Sequence, residues 1–138
     1  MTFTKSILPA LIWTAIIIFL LVVSVPSSAD IPKIRIPHFD KIVHFGLFMI
    51  LAFLYAWGFK KQRTHIALIK FAFYFAVFIA IVIGIITELI QAYWIPTRNG
   101  DVYDLLADTF GVFFGILLFP YAYNLIEKFF FKGKKAKC

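Results

Sequence analysis

Residues 71–94 read FAFYFAVFIAIVIGIITELIQAYW. At 24 residues the run exceeds the roughly 20 apolar residues needed to cross a hydrocarbon layer. It is apolar on every side of a helix for most of its length, unlike the one-sided pattern of a helix on a soluble domain. In lipid every backbone N–H and C=O must be satisfied internally, which leaves helices and closed barrels. Barrel strands are alternating segments of about 10 residues, so this run predicts a helix. A carboxylate, Glu88, and an amide, Gln91, interrupt it near one end.

Similar runs occupy residues 7–25, 42–59 and 102–121. The predicted fold is all-α: a polytopic membrane protein, a bundle of four transmembrane helices, forming a single domain over residues 1–138 with a basic tail at 128–138. Composition agrees, with 62% hydrophobic residues, 15% charged and 18 Phe in 138 residues, too apolar for a soluble domain of average usage. Pro26, Pro32 and Pro37 forbid a continuous helix between the first two runs and predict an extended loop. Residues 60–65 tie the second and third runs into a hairpin, and residues 96–100 turn the chain into the fourth. Lys5, the first apolar run and Ser27, Ser28 and Ala29 have the outline of a cleavable leader. The apolar core is longer than the usual 7 to 15 residues, so a retained anchor is expected.

Charge sets the orientation. Ten of the 14 Lys and Arg (Lys5, Lys60, Lys61, Arg63, Lys70, Lys128, Lys132, Lys134, Lys135 and Lys137) fall at or near the end that carries both termini. Lys33, Arg35, Lys41 and Arg98 fall opposite. The positive-inside rule therefore predicts that both termini face the cytoplasm. The net charge of +7 is a topology signal: the basic clusters flank hydrophobic ends, which argues against nucleic acid as a partner and for membrane lipids. Cys138 is the lone cysteine, so neither a disulfide framework nor a thiolate metal cluster is expected.

Polar residues concentrate at the other end. Asp40 and His44 open the second run, Glu88 and Gln91 close the third, and Asp101, Asp104 and Asp108 lead into the fourth. Helical spacing of about 100° per residue places Gly84, Thr87, Glu88 and Gln91 on one stripe, and Asp104, Ala107, Asp108, Gly111 and Gly115 on another. The Gly111-x-x-x-Gly115 pair suits close helix packing, expected inside the monomer because its stripe carries two carboxylates that cannot face lipid. Glu88 lies 17 residues beyond Phe71, about 26 Å at roughly 1.5 Å per residue, near the outer edge of a core about 30 Å thick. Tyr93 and Trp94 at that end, with Tyr55 and Trp57 at the other, are expected to anchor the helices at the two interfaces.

Asp40, Glu88, Asp101, Asp104 and Asp108 outnumber the nearby fixed cations, Lys41 and Arg98, with His44 titratable. A protonated carboxyl, a bound cation or a wet site each resolves that surplus. His44, Glu88, Asp104 and Asp108 are candidate ligands for a divalent cation. The plainer alternative is a structural network in which Arg98 and Lys41 clamp carboxylates and Gln91 bridges helices.

Taken in order, Asp40-Lys41-x-x-His44-Phe45, Glu88-x-x-Gln91, Pro96-x-Arg98-x-x-Asp101-x-x-Asp104 and Ala107-x-x-x-Gly111 resemble the VanZ-like family over about residues 7–120. The resemblance implies a small bacterial helical membrane protein with polar residues at its extracytoplasmic surface. It also suggests a link to glycopeptide resistance of the teicoplanin type, with no agreed chemistry. The family usually places Asn where this chain has Asp108, which adds negative charge and counts against a role needing a neutral amide there. Two expectations of different class follow. In one, Asp40, Lys41, His44, Glu88, Gln91, Arg98, Asp101, Asp104 and Asp108 bind a lipid-linked cell-wall precursor or a glycopeptide. In the other, Glu88, His44 and Asp104 perform acid and base catalysis on an envelope lipid, with or without a metal.

Overall fold

The computed structural model describes residues 2–22, 39–94 and 101–130. Five helices are seen among them: α1 Phe3–Val22, α2 Phe39–Lys61, α3 Ile66–Lys70, α4 Ala72–Trp94 and α5 Val102–Phe130. α1, α2, α4 and α5 are each long and apolar enough to cross a membrane, which makes this a four-span helical protein. The proline-containing loop before α2, the small residues Ser27 to Ala29, the turn carrying Arg98 and the tail from residue 131 lie outside the described residues.

α2 is the central helix, packing on α1, α4 and most extensively on α5, whereas α1 and α5 do not pack on each other. Its buried residues, His44, Phe48, Leu51, Ala52, Tyr55, Ala56, Gly58 and Phe59, recur at three- and four-residue steps. α4 buries a narrower stripe. Ala72, Ala76, Ala80 and Gly84 lie one turn apart, and the stripe then turns polar at Thr87, Glu88 and Gln91. Its large side chains, among them Tyr74, Phe78, Ile85 and Leu89, point outward. Small residues inside and large ones outside are what lipid favours, because helix association there depends on close approach rather than on burying apolar surface.

α2 and α5 run in the same direction, with Lys41 at the start of one bonded to Asp101 and Asp104 at the start of the other. Their contact is backbone to backbone. A methyl group at Gly111 would meet the carbonyl oxygen of Phe45, and one at Gly115 that of Met49. The Gly111 and Gly115 pair thus packs within the monomer. α1 runs antiparallel to α2: Ser6 lies against Gly58, Trp13 Nε1 donates to the Leu47 carbonyl at 3.0 Å, and Thr14 Oγ1 pairs with the Tyr55 hydroxyl at 3.1 Å.

Helix boundaries differ from the apolar runs where polarity and helicity part company. α5 continues through Pro120 to Phe130, past the end of its apolar run at residue 121. A proline inside a membrane helix is tolerated where neighbouring groups satisfy the freed carbonyl. Residues 66–70 form the separate helix α3, set off from α4 at Phe71. The buried side chain of Gln62 organises the hairpin before it: Nε2 donates to the His65 carbonyl, and Oε1 accepts from the N–H groups of Thr64 and His65. Tyr55 is not an interface anchor but a core residue, 5% exposed, because its hydroxyl finds Thr14 inside the bundle. Tyr93 and Trp94, each 78% exposed at the end of α4, are placed as anchors would be.

Candidate functional site

The ends of α1 and α4 and the starts of α2 and α5 meet at one end of the bundle. Lys41 is the lone Lys or Arg there among the described residues; Lys5, Lys60, Lys61, Arg63, Lys70 and Lys128 lie toward the other end.

Asp101 precedes α5 and caps it: its Oδ1 accepts the Tyr103 N–H at 2.9 Å, satisfying one of the donors that a helix start leaves unpaired. Its Oδ2 takes the Lys41 ammonium at 2.8 Å, and the same ammonium bonds Asp104 Oδ1 at 2.9 Å. The hydrogen bond from Lys41, helped by the Tyr103 N–H, holds the Asp101 carboxyl below its ordinary value. The Lys41 ammonium also lies 5.8 Å from the centre of the Tyr103 ring.

One layer deeper, His44 Nδ1 is 2.9 Å from Asp108 Oδ1, with the two side chains 0% and 3% exposed. Gly84 of α4 faces this pair, where an added Cβ would sit 3.4 Å from Asp108 Oδ2 and 3.3 Å from the Phe48 ring. Glu88 approaches from the same helix, one turn beyond Gly84. Its Oε2 accepts the Asp101 backbone N–H at 3.1 Å, joining the end of α4 to the start of α5. Three buried polar atoms have no hydrogen-bond partner among the described residues: His44 Nε2, Glu88 Oε1 and Asp108 Oδ2. The three lie on three touching helices, in surroundings where buried polar groups are nearly always paired.

The nine residues expected at the site are placed unequally. Lys41, His44, Glu88, Asp101, Asp104 and Asp108 form one connected cluster. Asp40 is exposed at its rim, with a carboxylate oxygen within 4.8 Å of ligand atoms on His44 and Asp104. Gln91 is turned to another use, its Nε2 donating at 2.9 Å to the Leu21 carbonyl and so closing the end of α1. Arg98 lies outside the described residues. Two groups hold a possible metal-ligand arrangement, Asp40 with His44 and Asp104, and His44 with Glu88 and Asp108.

Beside Glu88 a cleft of about 170 Å³ opens between α4 and α5, lined by Glu88, Leu89, Ala92, Asp101, Val102 and Leu105. Its apolar walls, and Tyr103 beside Lys41, do not stand out in the sequence. Outward-facing residues of a membrane helix carry no mark that distinguishes a cleft wall from a lipid-facing surface.

No curated protein and no solved structure matches the chain. A family model described as VanZ/LLP1 does, over residues 2–126, a stretch that takes in all four spans and every described residue of the polar cluster; the chain belongs to the VanZ/LLP1 family.

Proposed function

We propose that the chain is a multi-pass protein of the bacterial cytoplasmic membrane, with cytoplasmic termini, whose acidic end binds the headgroup of a lipid-linked cell-wall precursor. The segregation of basic residues toward the opposite end supports that orientation. The observation that carries the binding reading is the cleft, where the carboxylates of Glu88 and Asp101 adjoin the apolar side chains of Leu89, Ala92, Val102 and Leu105. An amphiphile meets matched surfaces there: carboxylates accept hydrogen bonds from hydroxyl, amide and ammonium groups of a headgroup, and the apolar wall takes the start of its chain. A headgroup held this way becomes less accessible to a glycopeptide such as teicoplanin, so cells carrying the chain are expected to be less susceptible to it without any chemical step.

The test is native mass spectrometry of protein released from nanodiscs made with bacterial envelope lipid, together with teicoplanin susceptibility of cells carrying each form. Wild type is expected to retain a lipid-linked precursor and Glu88→Gln to lose it along with the phenotype. Equal retention by both forms would remove the reading.

A second reading is favoured by the His44 and Asp108 pair. A carboxylate that orients an imidazole, with Glu88 nearby, is an arrangement suited to acid and base catalysis on the same lipid. Product formation from extracted envelope lipid that disappears in His44→Ala would favour this enzyme over the binder.

A further inference from the structure

We infer that His44, Glu88 and Asp108 form a binding site for one divalent transition-metal ion of the zinc or manganese class. One ligand atom from each of the three lies within 4.8 Å of the other two. Ligands about 2.0 to 2.2 Å from a shared ion stand about 3 to 4 Å apart, so only a small closure is needed. Each of the three side chains also buries a polar atom with no partner among the described residues: His44 Nε2, Glu88 Oε1 and Asp108 Oδ2. The contact of His44 Nδ1 with Asp108 Oδ1 is one edge of this triad, and the unpaired carboxylate oxygens of Glu88 and Asp108 carry the negative charge that an ion neutralises.

Charge points the same way. A neutral imidazole with two carboxylates balances a dication, and the described ammonium nearby, that of Lys41, is engaged by Asp101 and Asp104 instead. The rival group of Asp40, His44 and Asp104 is the poorer host. Its Asp104 already holds Lys41 at 2.9 Å, which sets an ammonium beside any added cation, and its Asp40 is exposed. The mixed nitrogen and oxygen donors favour zinc or manganese over calcium or magnesium, which prefer oxygen alone. Three protein ligands leave the ion room for a further one, and Glu88 belongs to both the triad and the cleft.

The experiment uses the full chain in detergent, stripped with a chelator and titrated with Zn²⁺, Mn²⁺ or Co²⁺ alone. The readouts are bound metal after desalting, the Co²⁺ visible spectrum and the metal-induced rise in melting temperature. Wild type is expected to take up about one ion per chain. Glu88→Gln and Asp108→Asn, with folding checked by circular dichroism, should weaken binding by about tenfold or more, and Asp40→Asn should leave it unchanged. Failure of wild type to bind an ion stoichiometrically overturns the inference even where a variant does not fold, and so does a Glu88→Gln chain that binds as wild type does. Loss of binding in Asp40→Asn equal to that in Glu88→Gln also overturns it, by assigning the ion to the rival group. No lipid is present in the assay, so the result stands apart from the headgroup reading.

Discussion

His44 and Asp108 lie 64 residues apart in the chain, yet His44 Nδ1 stands 2.9 Å from Asp108 Oδ1 with both side chains almost wholly buried. The pair exists because α2 and α5 run parallel with their backbones nearly touching at Phe45 and Gly111. Removing one buried partner strands the other, at a cost of about 1 to 3 kcal/mol. His44→Ala should therefore destabilise the protein by at least that amount. Asp108→Asn, which keeps an oxygen able to accept from Nδ1–H, should cost less. In a double-mutant cycle of His44→Ala and Asp108→Ala, measured by denaturant unfolding in detergent, the coupling should be about 0.5 to 3 kcal/mol. Strict additivity would mean that the two side chains do not interact.

The packing of α2 on α5 makes a prediction with an internal control. Gly111→Val and Gly115→Val drive side-chain atoms into the carbonyl oxygens of Phe45 and Met49, and backbone cannot rotate away as a side chain can. Overpacking of this kind costs about 1 to 3 kcal/mol or more. Gly46→Ala, where an added methyl meets nothing within 4 Å, should be neutral. The yield of monodisperse protein on size exclusion separates the three. A Gly111→Val chain that matched Gly46→Ala would show that the two helices do not approach as closely as described.

Gln91 tests the boundary between site and scaffold. Its amide closes the α1 end at the Leu21 carbonyl, so Gln91→Leu should lose about 1 kcal/mol and speed amide exchange over the last turn of α1. The same substitution should leave divalent-metal uptake unchanged, because Gln91 is not among the three ligands of the inferred site.

How much of this was legible beforehand depends on which residues are asked. The four spans follow from hydropathy, since lipid leaves an all-round apolar run no other structure to adopt. The gathering of polar groups followed from their position at alternate ends of successive runs: once the chain crosses four times, Asp40, Glu88 and Asp104 share an end. Pairing did not follow. Nothing in the spacing distinguishes Lys41 bonded to Asp101 and Asp104 from Lys41 bonded to Asp40, because that choice depends on α2 and α5 being parallel neighbours. The burial of Tyr55 is illegible in the sequence for a related reason. A tyrosine near the end of an apolar run looks like an interface anchor unless its hydroxyl partner, here Thr14 on another helix, is known. The extension of α5 past Pro120 was hidden because hydropathy falls there while helical hydrogen bonding continues.

The Lys41 and Asp101 contact yields a pH dependence whose sign is fixed. The ordinary carboxyl value is 3.8, and in the folded chain the Lys41 hydrogen bond lowers that of Asp101. A depressed folded value means that the folded state binds the proton less readily than the unfolded one. The stabilisation is therefore complete above 3.8 and is lost as pH falls through the lower, folded value. The informative quantity is the difference between wild type and Asp101→Asn rather than the wild-type curve alone. That difference should be constant from neutral pH down to about 4 and should shrink at lower pH. Lys41→Met should flatten it, because the hydrogen bond that depresses the carboxyl is gone. Raising salt should also reduce it, since the pair is partly open to solvent, with side-chain exposures of 28% and 39%. Thermal unfolding in detergent from pH 7 to pH 3 measures all of these. A wild-type to Asp101→Asn difference that grew on acidification would show that Lys41 does not hold the Asp101 carboxylate.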